Sequence, residues 1–289
     1  MPATDPARDV WNETLLQNPH EVADKRSRVQ KMFAAIAPSY DFNNRFHSLG
    51  LDQRWRRKAV ELAMLGEEDV VVDVACGTGD LTIAFYDALL DAAGKANLYM
   101  DLCETFLEEP RRTRYAQMQR YDGMAPPARV LGIDFTFEML LLARSKIENR
   151  KSKISYLNGD ALALPLADQS ANVLSIAFGI RNVADPLAAL KEFHRVLKPG
   201  GRLIILEFSL PTNRLLRALY NFYFTKILPR TATWISRDKT GAYKYLPQSV
   251  NTFISRDSMQ QMMRDAGFTD VQVFPLTFGI CICYRGIKQ

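Results

Sequence analysis

The segment DVVVDVACGTGDLT, residues 69–82, constrains the fold more than any other stretch of this chain. Val70, Val71, Val72 and Val74, broken only by Asp73, form a run too apolar and too β-branched for a half-exposed strand. Such a run belongs to a parallel sheet covered by helices on both faces. Gly77 and Gly79 then let the backbone turn tightly and approach a ligand with no Cβ in the way. Thr82 stands where a dinucleotide fingerprint has its third glycine, and the lysine of a phosphate-binding loop is missing. A plain tight turn is the alternative reading of so short a motif. Asp73 and Asp80 flank the loop and make it acidic, which suits a cationic ligand better than a phosphate. S-adenosylmethionine, with a sulfonium and an amino group, is a ligand of that kind.

Beyond the loop, strand-like and helix-like segments alternate. ARVLGID, KISYLNGD, ANVLSIAFGI and RLIILEF read as strands, FTFEMLLLARSKIENR and PLAALKEFHRVL as helices, and KPGG as a turn. A helix in SRDSMQQMMRDAGF starts on Ser255 as N-cap and stops at Gly267. TDVQVFPLTFGICICYRGIKQ closes the chain as two strands able to pair as a hairpin. This alternation predicts a doubly wound α/β sheet with ligands at the carboxyl ends of its strands. Before the first strand, the first twenty or so residues read as a loose polar arm. Val22 to Met64 is helical, with a break near Pro38 and a stop at Gly66.

Composition narrows the function. With 289 residues, 47% hydrophobic and 24% charged, the chain buries a core as one large domain or two small ones. A net charge of +5, spread along the chain, does not indicate nucleic acid. Cys76, Cys103, Cys281 and Cys283 include no C-x-x-C pair, and buried thiols are expected rather than metal ligands or disulfides. No metal-ligand cluster is visible. No apolar run has the ~18 residues of a membrane span, and the N-terminus lacks a signal peptide's apolar stretch. A cytoplasmic protein is expected, and a homo-oligomer is compatible with the sequence.

Five stretches carry a resemblance: VVDVACGTGDLT, VLGIDFTFEMLLLARSK, the run from LNGDALALPLADQS to LKPGGRLIILEFS, YKYLPQSVNTF, and RVQKMFAAIAPSYDFNNRFHSLGLDQRWRR. Together they resemble the menaquinone/ubiquinone biosynthesis C-methyltransferase family over about Val22 to Lys288, except for one internal segment. The glycine loop and LKPGG are shared by many class I methyltransferases, whereas FGIRNV, IAPSYDFNN and YKYLPQSV are more specific. The resemblance implies a seven-stranded Rossmann-like methyltransferase sheet with a C-terminal antiparallel hairpin. It divides the chain into an arm and lid helices over residues 1–64 and a methyltransferase domain over residues 65–289, with an insertion at about 86–128.

Two aspartates compete to hold the ribose. Asp101, in LYMDLCET, lies at the spacing of about twenty residues past the loop that a ribose acid takes. Asp134 lies much further on, but it ends a β-branched strand and precedes an amphipathic helix like the family's, whereas Pro110 cuts off any helix after Asp101. Asp134 is therefore the expected ribose ligand. Residues 86–128 then become an insertion, with acids preceding arginines, that fits either a helical hairpin closed by its own ion pairs or a partner surface.

The resemblance supplies the rest of the site. Gly77, Thr78 and Gly79 are expected at the cofactor, S-adenosylmethionine, with Asp160 and Ala161 against its adenine; a helix or turn cap is the alternative for Asp160. Ala177 stands where many family members carry serine, so that contact is not carried over. Arg181 and Asn182 of FGIRNVADP are expected at the reacting centre, although Arg181 could instead pair with Asp185 across a turn. Tyr40 and Asp41 are candidates for contacts to the substrate ring or the methionine amine, with core packing and helix capping as alternatives. His194 reads as structural, and His47 is carried as unassigned. The implied substrate is a polyprenyl quinol, a demethylmenaquinol first and a benzoquinol of the ubiquinone pathway second. A substrate of that kind requires peripheral contact with a membrane, for which the aromatic and basic RLLRALYNFYFTKILPRTATW is a candidate, apolar core being the plainer reading.

Overall fold

A computed structural model describes residues 10–106, 129–148 and 152–289, with the backbone alone over residues 95–106. The valine run forms β1 (Val70–Val74), followed by β2 (Arg129–Asp134), β3 (Ile154–Asn158), β4 (Ala171–Ala177), β5 (Leu197–Phe208), β6 (Phe268–Leu276) and β7 (Cys281–Lys288). They make one sheet in the order β3-β2-β1-β4-β5-β7-β6. The first five are parallel, and β7 runs antiparallel to both β5 and β6, giving the expected terminal hairpin. Strand order reverses between β1 and β4, so the crevice for a ligand opens at their carboxyl ends. The KPGG turn is absorbed into β5 as an irregularity, where pairing slips from Ala171↔Leu197 to Val173↔Arg202.

Three helices precede the sheet: α1 (Lys25–Ile36), α2 (Tyr40–Ser48) and α3 (Leu51–Leu62). α3 stops short of Gly66, because Met64 already turns left-handed (φ 46°). α4 (Asp80–Phe106) and α5 (Phe137–Ile147) follow β1 and β2, and α6 (Pro186–Val196) follows β4. Between β5 and β6 lie α7 (Arg214–Phe222), a π-helical turn (Tyr223–Ile227), α8 (Leu228–Ser236), α9 (Ala242–Asn251) and α10 (Arg256–Asp265). One sheet face packs Leu174 and Ile205 against Leu190 and Phe193 of α6 and Met263 of α10. The other packs Val71, Ile204, Cys281 and Cys283 against Trp55 of α3 and Phe85 of α4. Both cysteines are buried free thiols.

A third core gives the fold its cap. Trp11, Leu16, Met32 and Ile36 pack with Phe224, Leu228, Ala232, Tyr243 and Tyr245. The arm was expected to be loose, yet its described part is anchored. Trp11 stacks on Tyr245 with 4.4 Å between ring centroids, and its backbone N–H donates to Thr240 O at 2.9 Å. The LYMDLCET stretch, Leu98–Thr105, falls inside α4 rather than in a strand, so Asp101 ends no strand. The second half of the expected helical hairpin lies outside the described residues.

Candidate functional site

Two neighbouring cavities open at the carboxyl ends of the strands. The first encloses about 820 Å³, open mouth included, and is walled by Gly77, Asp134, Phe135, Met139, Asp160, Ala161 and Asn182, with Arg26, Val29 and Phe33 of α1 above. The second, about 630 Å³, is walled by Asp52, Arg56, Phe178, Arg181, Phe208, Tyr243 and Tyr245. Phe33, Tyr40 and Phe178 line both, so the cavities meet at these three rings. Backbone geometry makes the junction. Ala75 (φ 52°) and Phe178 (φ 56°), just past the ends of β1 and β4, are both left-handed, a conformation costly for an L side chain. Phe178 is held there by its N–H, which donates to Leu206 O at 2.6 Å.

Asp134 dominates the first cavity. It is buried at the end of β2, where Oδ2 accepts from Gly77 N and Oδ1 from Thr136 N, both at 2.7 Å. No side-chain cation among the described residues neutralises it, and burial pushes its carboxyl up to about 6 against the pull of these N–H donors. A buried carboxylate with spare lone pairs on a cavity wall is built to accept hydroxyl donors. Asp160 accepts from Leu162 N through Oδ1 (3.0 Å), and its Oδ2 pairs with Arg26 at 2.8 Å. Ala161 lies beside it on the wall.

The loop divides its labour. Gly77 (φ 55°) forms wall, while Thr78 and Gly79 stand behind it. Thr78 Oγ1 donates to Asp41 Oδ1 (2.5 Å) and accepts from Lys146 (3.0 Å). A Cβ on Gly79 would meet the Tyr156 hydroxyl at 2.3 Å. The acidic character read from the loop does not reach the cavity. Asp73 points into the sheet, accepting from Thr82 and Ser175, and burial pushes it up to about 6. Asp80 is paired with Lys146 (2.6 Å) and Arg45 (3.4 Å), and Lys146 also pairs with Asp41 (2.6 Å).

In the second cavity Arg181 is buried, and the pairing with Asp185 does not form. Asp185 instead caps α6, accepting from Ala188 N at 3.0 Å. Arg181 Nη1 donates to Glu207 Oε1 (2.6 Å) and to Phe178 O (2.7 Å), and Nε reaches Ser249 Oγ (3.4 Å). Its guanidinium lies 5.4 Å from the centroid of Phe208, while that of Arg56 lies 5.3 Å from Phe178. The two rings are 4.6 Å apart, so each ring of the aromatic pair has an arginine close to it. Asn182 Oδ1 accepts from Tyr245 OH (2.9 Å), fixing the amide beside the junction. Tyr40 stays a neutral phenol, since burial raises its pKa. His47 Nδ1 bonds the Tyr223 hydroxyl (3.0 Å), and His194 packs edge-on against Phe268, both apart from the cavity walls.

This arrangement has known relatives. The ubiE/COQ5 methyltransferase family is matched over residues 21–288, nearly the whole chain. The chain belongs to that family. It is 39% identical over 271 residues, 93% of its own length and 100% of the relative's, to the ubiquinone/menaquinone biosynthesis C-methyltransferase UbiE of Geobacter sp. (strain M21). It is 39% identical to the demethylmenaquinone methyltransferase of Thermus thermophilus, over 88% of this chain and 99% of that one. Among solved structures, an S-adenosylmethionine-dependent methyltransferase from Thermotoga maritima superposes with a TM-score of 0.53 at 19% identity, covering 90% of this chain and 100% of that one. That likeness shows the seven-stranded fold.

For this ubiE/COQ5 family member, the structure adds residues that sequence reasoning passed over. Glu207 was legible as a lone carboxylate in the apolar strand LIILEF. Lys25 was not, since nothing separates it from the charges around it. Buried on α1, Lys25 donates to Arg181 O (2.9 Å) and Val183 O (2.7 Å).

Proposed function

We propose that this chain transfers the methyl group of S-adenosylmethionine to a ring carbon of a polyprenylated quinol, a demethylmenaquinol first and the ubiquinone-pathway benzoquinol second. The observation that carries the reading is the pair of cavities joined at Phe33, Tyr40 and Phe178, one with strand-end carboxylates and the other aromatic and arginine-flanked. The residues of the first cavity fit the cofactor. Asp134 is an unneutralised buried carboxylate for ribose hydroxyls, Asp160 and Ala161 offer an edge for adenine, and Gly77 leaves the wall without a Cβ. S-adenosylmethionine, when bound, supplies an electrophilic methyl group.

The chain's own residues prepare the acceptor. A quinol carbon becomes nucleophilic as its neighbouring phenol loses a proton. A guanidinium is a donor with no acceptor and cannot take that proton, but the Arg181 charge stabilises the phenolate oxygen as it forms. The rings of Phe178, Phe208 and Tyr245 supply a flat apolar slot, and the α1 lid keeps water from the junction. The names of the two relatives support this substrate class. A quinol of this kind is presented by a membrane, and the apolar face of α7 supports peripheral contact at the bilayer's inner surface. The test is product analysis with methyl-labelled S-adenosylmethionine and prenylated naphthoquinol and benzoquinol. Label in the quinone is expected, and its absence from both would sink the reading.

A further inference from the structure

Transfer of a methyl group to a ring carbon leaves a proton on that carbon, and something on the cavity wall must take it. The titratable residues lining the second cavity are Tyr40, Asp52, Arg56, Arg181, Tyr243 and Tyr245. The arginines are fixed cations. All three phenols are raised by burial, Tyr243 to about 12, so each holds its proton at neutral pH. Glu207, the other carboxylate nearby, is enclosed behind the wall. Its Oε1 accepts from Arg181 Nη1 and Phe208 N, and its Oε2 from Arg181 N at 3.3 Å. Asp52 is therefore the one carboxylate among the described lining residues.

Its setting suits the task. Asp52 is buried in the first turn of α3 and its two oxygens differ. Oδ2 is bound by Arg56 Nη1 (2.8 Å) and Gln53 Nε2 (3.0 Å), which fix the carboxylate plane. Oδ1 accepts from Ser48 Oγ at 2.9 Å, and Ser48 is itself on the cavity wall. Arg56 makes no other hydrogen bond to the described residues, so Nε and Nη2 remain to hold a ligand oxygen. Arg181 faces the same space from beyond the Phe178–Phe208 pair, with Nη2 likewise uncommitted. A cavity lined by aromatic rings and two guanidiniums matches a planar ring bearing two oxygens.

We propose that Asp52 is a catalytic base that removes the proton from the methylated ring carbon, with Arg56 anchoring a quinol oxygen beside it. The assignment rests on the quinol C-methylation reading given above. In the balanced step, the ring carbon forms its bond to the methyl carbon as the bond from that methyl carbon to the sulfonium sulfur breaks. The C–H electron pair of the now tetrahedral ring carbon returns to the ring, its proton passes to Asp52 Oδ1, and the ring is restored as the aromatic quinol monoanion, which takes back from solvent the proton its phenol gave up there. The proton leaves through the Ser48 hydroxyl to solvent.

The experiment uses the full chain with S-adenosylmethionine and a short-prenyl naphthoquinol, unlabelled or deuterated at the accepting carbon. In the wild type, with proton loss to Asp52 faster than methyl transfer, a small deuterium effect is expected. Asp52→Asn is expected to keep cofactor affinity by calorimetry within about threefold and to lose at least ~100-fold in turnover. A primary deuterium effect should appear, because proton loss has become limiting. Asp52→Glu should recover part of the rate. Should Asp52→Asn fold poorly with Arg56 left unpaired, the double variant Asp52→Asn/Arg56→Met removes the lone charge and carries the same expected isotope effect. Turnover within a few-fold of wild type, or a loss with no change in the isotope effect, overturns the assignment and leaves Asp52 a structural ion pair. Failure of the wild type to methylate the quinol instead overturns the functional reading, and the assignment with it.

Discussion

Asp134 and Arg181 show how differently two buried charges are treated. Arg181 has a carboxylate partner, whereas Asp134 has backbone donors, the Thr136 side chain and a cavity, and no side-chain cation among the described residues. Bound hydroxyls would favour its charged form, so the pKa in the complex falls below the free value of about 6. The sign follows. Cofactor affinity should be flat above that value and fall by up to ~10-fold per unit as pH drops below it, the protonated fraction having to ionise first. Calorimetric titrations from neutral pH downward should show this decline, and Asp134→Asn should bind more weakly with the slope gone. Asp101→Ala should leave affinity unchanged; weakening by that variant would move the ribose acid to α4. That Asp134 ends a strand and Asp101 does not was legible, because the β-branched run before Asp134 outweighs spacing past the loop. The partner of Arg181 was not, because the nearest acid in sequence, Asp185, is consumed as a helix cap while Glu207 arrives from another strand.

α1 acts through spacing that helix geometry dictates. Lys25, Arg26 and Gln30 reach three strand-end loops: Lys25 the carbonyls of Arg181 and Val183, Arg26 the Asp160 carboxylate, and Gln30 the Phe135 carbonyl at 3.1 Å. Helical periodicity predicted α1, but only the folded chain shows which of its polar residues point inward. Lys25 carries the largest cost. Burial, and then the Arg181 charge, lower its pKa to about 8. The native state therefore binds fewer protons than the unfolded chain between about 8 and the ordinary lysine value. Stability from this group is lowest below pH 8 and rises as pH climbs through that window. Urea unfolding at pH 7.5 and 9.5 should show wild type gaining about 2 kcal/mol relative to Lys25→Met. An unchanged difference would mean that the native amine keeps its proton throughout. Lys25→Met should also lower turnover by loosening the turn that carries Arg181 and Asn182, whereas the exposed Arg26–Asp160 pair is worth under ~1 kcal/mol.

At the scale of the whole molecule, the cap has an apolar face with nothing among the described residues packed on it. Leu215, Leu219 and Phe222 of α7 recur at helical spacing and are 70%, 60% and 62% exposed; Trp234 of α8 is 82% exposed. The sequence favoured apolar core for most of this segment. The reading fails for these residues because α7 buries none of its side chains, the third core being filled from the π-helical turn and from α8. Arg214 and Arg217 lie on the same helix outside this face, and His47 ties α2, with exposed Phe42 and Phe46 and with Leu49 just beyond it, to the same segment through Tyr223. No helix among the described residues is long and apolar enough to cross a membrane. An exposed amphipathic helix that also carries arginine is suited instead to the headgroup layer, where it would gain apolar burial and roughly 1 kcal/mol per basic residue near an anionic surface. The full chain should therefore sediment with phosphatidylglycerol-containing vesicles more than with neutral phosphatidylcholine ones. Leu219→Glu/Phe222→Glu, remote from both cavity walls, should cut that binding at least ~10-fold while leaving cofactor affinity intact. The same variant should slow methylation of a long-chain prenyl quinol embedded in vesicles yet spare a short-chain quinol in solution. Equal loss on both substrates would place the defect in the cavities, and undiminished vesicle binding would move the membrane face elsewhere on the cap.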